Sequence, residues 1–299
     1  MKRKIVQQGP TTLMASLPIK WVRKYGLSKG DEVDVKELGN KLVISTEKVE
    51  SGAKTEIELD SINKSYIWRV LQPLYSLGYD EIKVNFESIK TLDIIQEMVI
   101  TSLIGFEIVD QSISHCTIKS VSTEMNERFD SILRKIFLNL IYSSEIVLAY
   151  LERGENLDLI INLEVMNNRH SMFLKRVLTK NGYEDPKKTY FVYLLINYLE
   201  KTQNEYQYFA ISEAKKQDYK RLKALIPIYK RVHEQIKGVY EVFYSYDSRI
   251  AEKIIIKGVN PLELKELIAK NSEAVHYFWE ITKFSRAMMH QIIGIKGVK

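Results

Sequence analysis

Beyond Thr123 the chain carries no strand signal. Its apolar residues recur at steps of three and four, as in Phe129, Ile132, Leu133, Ile136, Phe137, Leu140 and Ile141, and this spacing continues to the end at residue 299. A periodicity of 3.6 sustained over that span commits the larger part of the chain to helices. Breaks at Arg153-Gly154, Asn181-Gly182, Asp185-Pro186, Lys257-Gly258 and Asn260-Pro261 divide it. Helices are expected over about 123–153, 156–181, 186–217, 219–257, 261–270 and 271–294, with Pro227 kinking the fourth. Long helices on short connections make an antiparallel helical bundle over 123–299.

Upstream the pattern is different. Residues 54–121 alternate strands (54–59, 81–86, 107–110, 116–120) with helices (63–77, 92–103), and the order βαβαββ predicts an α+β sandwich with helices on one face. This segment would serve as a spacer or a dimerisation domain. Residues 1–48 read as a β-rich module: a strand over 4–8, a short helix over 17–25 and strands over 32–37 and 41–46 joined at Gly39-Asn40. The polar, Gly-containing stretch Glu50 to Lys54 links the two segments. About fifty residues with so little apolar material make a marginal core, so strand exchange with a second copy is expected to complete it.

Several function classes drop out. One cysteine, Cys116, rules out an intramolecular disulfide framework and any CxxC site. Nothing approaches the unbroken apolar length of a membrane span, and the start Met-Lys-Arg-Lys lacks a signal-like apolar core, so a cytoplasmic chain with no membrane insertion is expected. The phosphate-cradling and nucleophile-elbow motifs GxxxxGK[ST], GxGxxG and GxSxG are absent, and the five histidines form no i, i+4 pair. The expectation is a protein with no catalytic residues and no cofactor. The aromatic run Tyr190 to Phe209 has the spacing of bundle packing rather than of base stacking. The basic run Lys215, Lys216, Lys220, Arg221 and Lys223 reads first as a solvated face and second as a phosphate or nucleic-acid contact.

Charge is informative once divided along the chain. The net +6 resolves into +4 for residues 1–50, −4 for 51–122 and +6 for 123–299, and residues 1–30 hold seven Lys/Arg and no acid. Lys2, Arg3 and Lys4 flank the first strand. Lys20, Arg23 and Lys24 fall one turn apart on the short helix, so Lys20 shares a face with Arg23 or Lys24. Doubled in a dimer, such a surface would displace counterions from duplex phosphates.

The run SLPxxWxxxxGLxxGDxVxV, from Ser16 to Val35, followed by GxxLxI from Gly39 to Ile44, resembles the SpoVT/AbrB DNA-binding family. The resemblance spans most of residues 3–46. It implies a swapped-hairpin dimer that contacts double-stranded DNA through Arg3, Lys4, Arg23 and Lys24, with Lys2 and Lys20 close enough to assist. Other members of that fold are antitoxins. Residues 123–294 are similar to archaeal PhoU-type phosphate uptake regulators, in which two three-helix repeats carry ExxxD motifs that ligate metal clusters. Here Glu164 with Asn168, and Glu200 with Asn204, read ExxxN, while Ser285 and Met289 stand at the acidic positions of the second repeat. Two formal negative charges do little to offset the desolvation of a hard cation, so no stoichiometric iron or zinc is expected; a weak Mg²⁺ or Ca²⁺ site is the alternative. If buried, Glu164 and Glu200 are expected to pair with Arg169, Arg176 or Lys201.

Together these readings predict a homodimeric DNA-binding transcriptional regulator linked to phosphate uptake. The rival is a PhoU-like adaptor that binds a phosphate transporter or signalling kinase, with the N-terminal module serving only dimerisation.

Overall fold

The computed structural model describes residues 2–38, 41–46, 53–121, 129–216 and 218–297. The expected Gly39-Asn40 turn, most of the 50–54 linker and the start of the bundle at 123–128 lie outside those residues. The chain divides into two compact units, 1–55 and 56–299.

The first unit contains β1 (Ile5–Gln7), β2 (Leu13–Ala15), α1 (Ile19–Lys24), β3 (Asp34–Leu38) and β4 (Lys41–Ser45). β1 pairs antiparallel with β2, matching Val6 to Met14, and β3 with β4, matching Val35 to Ile44. Sequence reading missed β2, because Leu13–Ala15 is a bare apolar triplet with no alternation. Among the described residues of this unit none is buried. Ile5, Leu13 and Leu42 stay about two-thirds exposed, at 67%, 68% and 69%. Two-stranded ribbons with apolar side chains on both faces cannot cover themselves.

A four-stranded sheet follows, order β5-β6-β8-β7: β5 (Lys54–Glu58) spans the division at residue 55, and β6 (Glu81–Asn85), β7 (Phe106–Gln111) and β8 (His115–Ser120) lie in the second unit. β8 runs antiparallel to both neighbours, Val84 opposite Cys116 on one side and Phe106 opposite Ser120 on the other, with a bulge between Ile108 and Asp110. Period-two alternation buries Ile82, Val84, Cys116 and Ile118 and leaves Lys83 and Lys119 outside. Against the buried face lie α2 (Lys64–Ser76) and α3 (Ile89–Ser102), through Ile67, Leu71, Tyr75, Leu92, Ile95 and Met98. Asn63 caps α2 by accepting from the Tyr66 amide at 3.0 Å.

The remainder of the unit is mostly helical: α4 (Phe129–Arg153), α5 (Asp158–Asn181), α6 (Thr189–Lys216), α7 (Ile226–Tyr244), α8 (Ser248–Lys257) and α9 (Pro261–Ile292). α4, α5 and α6 pack on one another, α7, α8 and α9 do likewise, and α6–α9 and α4–α7 contacts join the two sets around one core. α2 and α3 also contact α5, whose Met172 enters the core beneath the sheet.

Three expected helices differ in the structure. The span 219–257 is not one kinked helix: Tyr219–Leu225 is a 3-10 turn, Pro227 sits in the first turn of α7, and the chain breaks again before α8. Proline at a helix start removes an amide that has no intrahelical partner, so Pro227 opens a helix instead of bending one. Asp247 starts α8 by accepting from the Arg249 amide at 2.8 Å. The expected division at 270 is absent, and α9 runs unbroken, as a stretch without Gly or Pro between 262 and 292 allows.

Candidate nucleic-acid interface

α1 is only six residues long and is fixed by its ends. Pro18 precedes it in extended conformation, the Val22 amide donates to the Pro18 carbonyl at 3.0 Å, and Gly26 leaves it at φ +59°. The Leu27 amide closes the turn on the Val22 carbonyl at 2.9 Å. Trp21 and Tyr25 pack as a tilted pair, ring centroids 5.4 Å apart and planes inclined at 52°, and both are half-buried. Beside this pair Lys20, Arg23 and Lys24 are all exposed. Arg23 and Lys24 stand in the last turn, where the helix dipole favours cations. The Lys24 ammonium lies 5.5 Å from the Tyr25 ring centroid.

Lys2, Arg3 and Lys4, also exposed, lead into β1. Among the described residues none of Lys2, Arg3, Lys4, Lys20 and Arg23 is held in a salt bridge, so their charge is available to solvent or to a polyanion. The first acid of the chain, Asp31, accepts from the Ser28 amide at 2.6 Å and closes a turn beyond α1. Sequence reading supplied the cations. The Trp21–Tyr25 ring contact beside them appears only in the folded structure.

The second candidate set does converge, at the seam of α5 and α6. Glu164 is buried, accepts from the Asn168 amide one turn away, and accepts from Gln207 Nε2 at 2.8 Å. Burial, with the Glu200 charge adding, pushes its carboxyl above the ordinary range. Glu200 accepts from Lys175 Nζ at 2.7 Å, while Asn204 Oδ1 is buried without a hydrogen-bond partner among the described residues. The expected bases are therefore corrected: Lys175 takes Glu200, amides take Glu164, and Arg176 is committed to Asp80. In the second repeat Ser285 is buried and accepts from Gln235 Nε2 at 2.5 Å, and Met289 is buried apolar. A cation cluster does not fit this donor set, since an ammonium and two amides already hold the carboxylates. Among the described residues no three His, Cys, Asp or Glu side chains group as metal ligands.

The other sequence candidates find structural uses. Arg221 and Lys216 both reach Glu213, which is fully buried, and Lys216 also reaches Glu273 at 2.5 Å. Two of the five residues of the basic run thus clamp the α6–α7 junction. Cys116 is buried, and its thiol is pushed up to about 12 by that burial, as suits an inert core residue. No triad was anticipated, yet Ser112 Oγ lies 2.7 Å from His115 Nδ1, and His115 Nε2 lies 3.1 Å from Asp110. The same hydroxyl accepts from the Ser114 and His115 amides at 3.2 and 3.1 Å, so it shapes the β7–β8 turn, and Asp110 is 63% exposed.

A strand-rich module with an exposed basic helix, followed by a sheet and a mostly helical body, is the class of architecture these elements define. Residues 6–53 match the family model described as antidote-toxin recognition MazE, bacterial antitoxin, and the match falls within the first compact unit. The chain carries an N-terminal MazE/AbrB-like domain. No curated protein and no solved structure matches the chain. Among the described residues no helix is long and apolar enough to cross a membrane.

Proposed function

We propose that the protein is a non-enzymatic, cytoplasmic DNA-binding transcriptional regulator that acts as a homodimer through its MazE/AbrB-like domain. One observation carries the reading: the first thirty residues hold seven cations and no acid, and Lys2, Arg3, Lys4, Lys20, Arg23 and Lys24 are all exposed. A module serving assembly alone has no need of that field. The bare apolar strands of the same unit support the homodimer. The similarity of 123–294 to archaeal PhoU-type regulators supports a link to phosphate uptake, with the helical body relaying phosphate status.

The test is duplex binding by the full chain across a salt series. Log affinity should fall linearly with log salt, by about 0.9 per phosphate neutralised, and affinity that ignores salt would defeat the reading. Genome-wide occupancy with and without phosphate starvation tests the phosphate link, which unchanged occupancy would remove. The family description favours a second reading, an antitoxin. That reading requires a stably bound protein whose toxicity the chain relieves.

A further inference from the structure

α7 and α8 leave between them a cavity of about 370 Å³, within the size range of small-molecule sites. Its floor is apolar and pinned. Gly238 faces Ile254 so closely that an added Cβ would stand 2.5 Å from the Ile254 side chain, and Ile250 and Ile254 present their side chains from α8. Gln235, buried beside them, donates to Ser285 of α9 and accepts from the Val259 amide at 2.9 Å. Arg286 of α9 holds the Ile255 carbonyl at 2.7 Å, so both walls are tied to α9.

Five charged residues line this cavity, and three are already matched. Lys230 pairs with Glu152 at 2.8 Å, Arg231 with Glu263 at 2.6 Å and Glu234 with Lys237 at 3.2 Å. Glu241 on α7 and Lys253 on α8 remain. Neither side chain is hydrogen-bonded or ion-paired among the described residues, and they do not pair with each other although they line one cavity. A carboxylate and an ammonium that are both exposed, line one cavity with an aliphatic floor and have no partner of their own among the described residues are complementary to a ligand bearing the opposite pair on a short carbon skeleton.

We propose that the α7–α8 cavity binds a small zwitterion of the aliphatic α-amino acid class, its ammonium received by Glu241, its carboxylate by Lys253 and its side chain by Ile250 and Ile254. The site stands independently of DNA binding. Because α8 is tied to α9 through Arg286 and α7 through Gln235, ligand bridging α7 to α8 acts on a helix that also packs against α6.

Titration calorimetry of the full chain with L-leucine tests it, beside 3-methylbutylamine, which lacks the carboxylate, and 4-methylpentanoate, which lacks the ammonium. Leucine should bind with a Kd of about 1 mM or tighter, and each analogue about tenfold more weakly. Glu241→Gln and Lys253→Met, both surface changes that leave circular dichroism unaltered, should each weaken leucine by about tenfold. No leucine binding up to about 20 mM, analogues as good as leucine, or affinity that survives either substitution would overturn the proposal.

Discussion

Arg176, in the C-terminal part of α5 and wholly buried, donates to Asp80 at the end of the α2–β6 connection, and so joins the helical body to the sheet layer. The guanidinium also donates to the Tyr75 and Tyr79 carbonyls at 2.8 and 2.7 Å and lies 5.2 and 4.7 Å from the Tyr75 and Phe106 ring centroids. Lys180, one turn further along α5, reaches Asp80 at 2.6 Å. Burial draws the Arg176 pKa down and the Asp80 charge holds it up.

Removing Asp80 should therefore cost more than a surface ion pair does. Asp80→Asn strands a buried cation and should destabilise residues 56–299 by about 3 kcal/mol in urea unfolding, with Arg176→Met in the same background recovering part of the loss. A change below about 0.5 kcal/mol would mean that the pair is not holding the layers together.

Arg23→Ala combined with Lys24→Ala removes four cations from a homodimer, so it should weaken duplex binding and lower the salt slope by roughly four, about one per cation, without altering the helical content. Filter binding at several salt concentrations measures both. Unchanged affinity would show that α1 is not the contact.

Light scattering of the full chain should show a dimer at micromolar concentration. Leu42→Glu, placing a charge on a residue that is 69% exposed in the single chain, should shift it toward monomer if that face is covered by a second copy. A mutant as dimeric as the wild type would move the interface away from β4.

Glu205, on α6, has its carboxyl raised to about 7 by burial and by repulsion from Glu280. A carboxyl whose folded pKa exceeds its unfolded value binds more protons folded than unfolded, so its contribution to stability falls as pH rises from about 4.5 through 7. Glu205→Gln should raise Tm at pH 8 and leave it close to wild type at pH 4. Melts showing the same offset at both pH values would assign the effect to packing instead.

The sequence by itself determined the division into strand-rich, mixed and helical segments, because the switch from period two to period 3.6 is a local property of side-chain placement. It determined the cationic character of the N-terminal segment for the same reason, since charge needs no partner to be counted. It left the ends of α7 and α8 wrong, although Pro227 and Asp247 were visible, because the same proline opens or kinks a helix according to what precedes it. Only the tertiary structure decided which charges meet. Lys175, not Arg169 or Lys201, faces Glu200, and Arg176 leaves α5 for Asp80, ninety-six residues earlier. Helical spacing says which residues share a face and nothing about what lies opposite that face; the opposing helix and its register come from the packing of the whole core, and they alone place Glu241 and Lys253 over one cavity.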